Sequence, residues 1–251
     1  MGVEYKHYLI PRDNTYRPEP EDLSRLINAL FAAGFLGQYD VRREEAKMVK
    51  LESNRTIDQD VLFAAQVGAG TYMPFPCPCT EGDLIKLDGR EYNLAWSVTN
   101  LAESGLEHPL IPVPDYVEPY YELEFHFAND FVYETSQCID PFESVLICRC
   151  GRPLEFSPGA SEAIFCYGRI RRRCSWCATP FRPQELMATI CDGWTNEPAQ
   201  VPGGATYLFA IAIDCGKCWS RGEQPMRASD QFFRVVTESL QQSFYEIGDF
   251  Y

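Results

Sequence analysis

Apolar residues along this chain follow two patterns, with steps of three and four near the ends and alternation or unbroken runs between them. From Pro20 onward Leu23, Leu26, Ile27, Leu30 and Phe31 recur at helical spacing. Glu19, Glu21 and Asp22 suit the positive end of that helix, and Gly34 is a natural stop. A second amphipathic helix is predicted from Ser229, a good N-cap, with Phe232, Phe233, Val235, Val236, Leu240 and Phe244 as its buried stripe. Residues 4–10, 84–87 and 92–98 read as strands, and 58–67 as a short helix. In residues 121–127, Leu123, Phe125 and Phe127 alternate with Glu122, Glu124 and His126, which predicts a strand with one packed and one wet face. The continuous apolar run at 206–213 predicts a strand in the middle of a sheet.

Proline and glycine divide these elements. The stretch MPFPCPCTEGD is predicted to be a loop, because proline removes backbone donors and fixes φ. HPLIPVPDYVEP reads as an extended surface connection anchored by Leu110, Ile111, Val113 and Tyr116, and NEPAQVPGG as a second loop. The resulting fold class is α+β, with a mixed or antiparallel sheet and an amphipathic helix near each terminus. A single domain over 1–251 is expected, with 144–182 as a cysteine-rich insertion.

At 251 residues and 45% apolar content the chain can bury a sizeable core without help. No apolar run approaches the roughly 18–20 residues needed to span a bilayer. The start MGVEYKHYLIPRD mixes charges without an apolar signal region, so a cytoplasmic, membrane-free location is expected. The net charge of −14 disfavours nucleic acid, whose binding draws on lysines and arginines, and points either to solubility alone or to a protein partner of basic character. Oligomeric state has no signature in the sequence.

Eleven cysteines change the picture most. The count is odd, and several lie close together, as Cys77/Cys79, Cys148/Cys150, Cys174/Cys177 and Cys215/Cys218 do. Such spacing suits a metal rather than disulfides. CRCG at 148–151 and CSWC at 174–177 are separated by enough chain for a hairpin to bring them together, and four thiolates can then surround one tetrahedral ion with bonds of about 2.3 Å. Gly151 permits the tight turn after the first pair.

These two pairs resemble the knuckles of a zinc ribbon over about thirty residues, with CxC in place of the usual first CxxC. The resemblance implies structural zinc on Cys148, Cys150, Cys174 and Cys177. Cys215/Cys218 is a rival that could replace either pair, or form a second site with Cys77 and Cys79. Cys138, Cys166 and Cys191 read as core residues. A redox role for CxxC is disfavoured, because CSWCATPFRP places prolines where a thioredoxin-type helix would run.

Only His7, His108 and His126 are available as histidine bases or ligands, and the chain has no Walker loop, dinucleotide fingerprint, GxSxG elbow or HExxH helix. Arg169, Arg171, Arg172 and Arg173 form the one basic run, with Arg171 and Arg173 on one face of an extended segment. Trp176, Trp194 and Trp219 fall in loops beside or between the cysteines. The expected function is therefore non-catalytic: a protein-binding protein stabilised by structural zinc, with Trp176, Trp219, Arg171 and Arg173 as partner-binding residues. In its acidity and lack of motifs the chain is similar in character to bacterial immunity proteins and antitoxin-like partners. The alternatives are a zinc enzyme that uses a cysteine pair plus histidine, and a nucleic-acid-binding zinc ribbon.

Overall fold

A computed structural model describes residues 5–36, 73–76, 92–98, 105–111, 121–133, 145–154, 171–215 and 226–250. The described residues are rich in strand. Six strands form the larger sheet: β1 (Tyr5–Pro11), β2 (Met73–Pro76), β3 (Tyr92–Val98), β5 (Tyr121–Tyr133), β12 (Thr206–Asp214) and β14 (Phe244–Phe250). Their spatial order is β14, β1, β12, β5, β3, β2, and every pairing is antiparallel. The apolar run of β12 lies between β1 and β5. Phe209, Ile211 and Ile213 face one side, and Ala210 and Ala212 the other. A register shift between Tyr207 and Phe209 reverses the alternation, so these two residues, although two apart, enter opposite cores.

Helices α1 (Pro20–Ala32) and α2 (Asp230–Leu240) cover the first side. Helices this short are marginal in water, so burial must hold them in place. Leu23, Leu26, Ile27 and Leu30 of α1 and Phe232, Phe233, Val236 and Leu240 of α2 pack with Leu9, Leu123, Phe125 and Phe209. The helices run antiparallel and are tied at both ends. Arg25 donates from Nε to the carbonyl of Ser239 at 2.5 Å, and Gln231 donates to the carbonyl of Ala33 at 3.3 Å. Ser229 caps α2 by accepting from the Phe232 amide at 3.2 Å. Phe244, expected to extend the helical stripe, instead begins β14, because the chain leaves α2 at Gln241 in a left-handed conformation (φ 53°).

A smaller antiparallel sheet covers the second side. It contains β6 (Val145–Ile147), β7 (Pro153–Leu154), β10 (Met187–Asp192) and β11 (Glu197–Pro202), in the order β11, β10, β6, β7. Ile190 and Val201 from this sheet pack on Tyr8, Ile10, Ala210, Ala212, Tyr245 and Ile247. The side of β5 expected to be wet is therefore partly closed: His126 is buried and Glu124 half-buried. Two short ribbons complete the described strands, β4 (Leu110–Ile111) with β13 (Arg227–Ala228), and β8 (Arg172–Arg173) with β9 (Pro180–Phe181).

Two stretches expected to be loops are strands. MPFP is β2 and EPAQVP is β11, each the outer strand of its described sheet. An edge strand needs donors on one side only, so prolines two residues apart, such as Pro74 and Pro76, are compatible with pairing. The turn that joins β10 to β11 docks on β14, where the Gly193 amide donates to the Glu246 carbonyl at 2.7 Å and Asp192 Oδ1 accepts from the Glu246 amide at 3.1 Å. Gly203 (φ +69°) follows β11 and has no room for a side chain, because a Cβ there would lie 2.8 Å from Gln184 Cα. The segments predicted as a helix at 58–67 and a strand at 84–87 lie outside the described residues, as do Val113 and Tyr116.

Candidate metal centre

The cysteine pairs sit in two knuckles of similar construction. In the first, β6 runs into CRCG and returns as β7, with Leu146 opposite Leu154 and Ile147 opposite Pro153. The Cys148 amide donates to the Arg152 carbonyl and the Gly151 amide to the Cys148 carbonyl, both at 2.8 Å. In the second, β8 runs into CSWC and returns as β9. There the Cys174 amide donates to the Thr179 carbonyl at 3.0 Å and the Ala178 amide to the Cys174 carbonyl at 2.9 Å. The first knuckle closes over one residue fewer, which accounts for CxC where the second has CxxC.

Each knuckle ends in a left-handed residue directly after its last cysteine, Gly151 at φ 80° and Ala178 at φ 57°. Glycine adopts this conformation without cost, whereas alanine is disfavoured there by about 1–2 kcal/mol. The left-handed Gly151 was legible in the sequence; Ala178 was not, because nothing in its identity announces a turn.

The two knuckles bring Cys148, Cys150, Cys174 and Cys177 together with all four sulfurs within 4.8 Å of one another. Cys148 Sγ and Cys177 Sγ are 3.6 Å apart, too far for a disulfide bond and close to the separation of about 3.8 Å that tetrahedral coordination at about 2.3 Å imposes on its ligand sulfurs. This cluster could hold a metal ion. Cys148 and Cys174 are buried with Leu146, Leu154, Leu186 and Ala188, while Cys150 and Cys177 lie at the surface.

The sulfurs are already differentiated. Backbone hydrogen bonding from Cys150 favours the Cys148 thiolate, but burial and the neighbouring sulfurs of Cys150, Cys174 and Cys177 outweigh it and push Cys148 up to about 12. The Thr179 hydroxyl, 3.2 Å from Cys177 Sγ, and the Thr179 backbone stabilise the Cys177 thiolate and bring it down to about 6. The Trp176 amide points at Cys174 Sγ from 3.4 Å. A cation that enters this group finds the Cys177 sulfur ready and must displace the proton that Cys148 holds.

The other predicted site residues are distributed differently. Cys215, one half of the rival pair, is fully buried in the helix-side core, away from this cluster, and Cys218 lies outside the described residues with Cys77, Cys79, Cys138 and Cys166. Cys191, expected in the core, is only half-buried on β10. Trp176 is 66% exposed, with the Arg152 guanidinium carbon 4.8 Å above its ring. Arg171, Arg172 and Arg173 are exposed, and Arg173 donates to the Ala178 carbonyl at 3.1 Å. Trp194 has turned away from the cysteines to stack on Phe233 of α2, at 4.1 Å between centroids and 8° between planes. Trp219 and Arg169 lie outside the described residues.

All three histidines are buried, and among the described residues the metal-capable cluster contains cysteine alone. The His108 ring nitrogen Nδ1 accepts from the Leu110 amide at 3.1 Å. His7 Nδ1 lies 2.6 Å from Glu246 Oε1, each side chain 1% exposed, and the Ala228 amide donates to the same carboxylate at 2.9–3.0 Å. Asp192 extends this group to Arg12 at 2.9 Å. His126 Nε2 lies 2.5 Å from Glu124 Oε2, and Lys6 Nζ bridges Glu124 at 2.8 Å and Asp214 at 3.3 Å. The His7–Glu246 pair was not legible, since its members are 239 positions apart, whereas Glu124 and His126 already share one face of β5 by alternation.

Burial by itself would raise the Glu124 carboxyl, but His126 and then Lys6 hold it down at about 2 against an ordinary 4.5. A carboxyl lowered on folding stabilises the fold above its unfolded value, and that contribution is lost as pH falls from 4.5 towards 2. Glu124→Gln is expected to cost on the order of 2–3 kcal/mol at pH 7. In urea titrations the gap from wild type should shrink progressively below pH 4.5; a gap that stayed constant down to pH 2.5 would contradict the assignment.

No helix among the described residues is long and apolar enough to cross a membrane. Searches against protein-family models, curated proteins and solved structures give no match to the chain.

Proposed function

We propose that the four cysteines hold a structural zinc ion and that the chain is a non-catalytic protein-recognition molecule, with residues 144–182 as a zinc-ribbon-like insertion. The observation that carries this reading is the closed four-sulfur cluster. A catalytic zinc keeps one coordination position open for water or substrate, whereas four thiolates fill a tetrahedral shell. The histidines that a metalloenzyme would recruit are enclosed elsewhere in the fold, two of them beside carboxylates. Four thiols gathered to hold a metal fit a reducing compartment such as the cytoplasm. The immunity- or antitoxin-like character inferred from acidity belongs to the same proposal.

The test is to produce the chain in medium supplied with both zinc and iron, since an all-thiolate site suits either metal, and to weigh it under native conditions. One zinc ion per chain is expected, and cobalt substitution should give the spectrum of a four-thiolate tetrahedral site that added imidazole leaves unchanged. An apo chain whose four thiols all titrate, or a cobalt spectrum that imidazole alters, would overturn the structural-zinc reading.

A further inference from the structure

Charge is distributed unevenly over this acidic protein. The two knuckle segments, 145–154 and 171–186, carry Arg149, Arg152, Arg171, Arg172, Arg173 and Arg182 against the single acid Glu185, and all six arginines are exposed. Four thiolates around a divalent ion would place two negative charges beneath them, so the surface stays basic with the site loaded. Of the two large apolar side chains that stand exposed among the described residues, one is found here. Trp176 tops the second knuckle, whereas Met187, opposite Ile147, lies on the face of β10 away from Ala188 and the cysteine core. Arg152 lies over one face of the Trp176 ring and holds it in a presented position.

From this we infer that the knuckle face binds an acidic segment of a protein partner, with Trp176 as the apolar contact and the arginines as the charged rim. The inference rests on the protein-recognition reading above and gives it a partner class. Tryptophan and arginine are the side chains that most often dominate protein interfaces. The overall charge of −14 predicts a basic partner for the surface at large, and this face is the exception. The same overall charge selects against a long polyanion. At physiological salt fields are screened within about 8 Å, so a compact basic patch attracts a short acidic segment. A nucleic acid would run past the patch onto acidic surface.

The probe is a fluorescein-labelled dodecapeptide of glutamate and aspartate with one central leucine, measured by anisotropy on the metal-loaded chain. Its lysine counterpart and a dodecamer of thymidylate serve as comparators. The acidic peptide should bind, weaken about tenfold between low and physiological salt, and weaken at least tenfold again in Trp176→Ala and in the charge reversal Arg149→Glu. These side chains are exposed, so the variants should keep their metal, and metal content is measured in each. Absence of acidic-peptide binding at low salt, or binding that ignores both variants, overturns the inference while leaving the metal site standing. Tighter binding of the oligonucleotide, lost in the same variants, overturns it in favour of nucleic acid. Peptide binding by a chain that holds no metal would sustain this inference while overturning the structural-zinc reading.

Discussion

Replacing Cys174 and Cys177 together by serine should abolish metal retention and unfold both knuckles while leaving the larger sheet in place. Structural zinc contributes about 10–16 kcal/mol of apparent binding energy in small thiolate sites, comparable with the whole stability of a domain. Here the dependence should be local. The core beneath the cysteines consists of Leu146, Cys148, Leu154, Cys174, Leu186 and Ala188, too few side chains to order two turns without a crosslink. The cores on either side of the larger sheet contain none of the four cysteines. Hydrogen exchange should therefore show amides at 145–154 and 171–182 losing protection, while those of β1, β12 and the β5 residues facing α1 keep theirs. Full protection of the knuckles in the variant, with no metal bound, would refute the staple.

The same site should lose metal on acidification. Coordination must remove the proton that Cys148 holds up to about 12, and below about 6 it must remove the Cys177 proton as well. Affinity for zinc should thus fall with pH throughout and more steeply below 6, which a competition titration with a chromogenic chelator would reveal. A flat profile between pH 8 and pH 5 would mean that these thiols are not the ligands.

The second large effect is expected at Glu246→Ala. Glu246 is buried on β14, where its carboxylate joins His7 of β1 to the Ala228 amide and its own backbone is held by the β10–β11 turn. Truncation leaves an imidazole and an amide donor without this acceptor in a dry interior. Breaking a buried pair of this kind costs about 3–5 kcal/mol, or roughly 10 °C in Tm for a chain of this size. Glu246→Gln keeps an oxygen for the Ala228 amide and should lose about half as much. A thermal melt of the alanine variant within ~2 °C of wild type would show that the pair contributes little.

What the sequence disclosed depended on how local the signal was. The thiol cluster was legible because each knuckle is a spacing rule a few residues long, and the central placement of β12 because an unbroken apolar run has no polar face to show to water. Features set by distant partners were not legible. β10 and β14 carry Asp192 and Glu246, acids that read as surface until Arg12 and His7 appear beside them. β2 and β11 contain prolines that normally exclude a strand, and only a position at the edge of a sheet removes the objection. Phe244 continues the helical period of α2 in sequence, yet the left-handed Gln241 has already turned the chain. The choice between Cys215 and the other pairs was likewise tertiary, since the core it entered is built by both helices.

The docking of the β10–β11 turn on β14 bears on how the protein behaves among its own copies. An outermost strand offers a ladder of open amides and carbonyls on which another chain can template, the usual route to fibrous aggregation. At Glu246 both main-chain groups on that side are already engaged by Gly193 and Asp192, and Gly193 sits so close that a Cβ would lie 3.2 Å from the Glu246 carbonyl oxygen. The turn therefore acts as a guard on this edge, and growth by addition of a foreign strand is blocked there for as long as the hairpin stays seated.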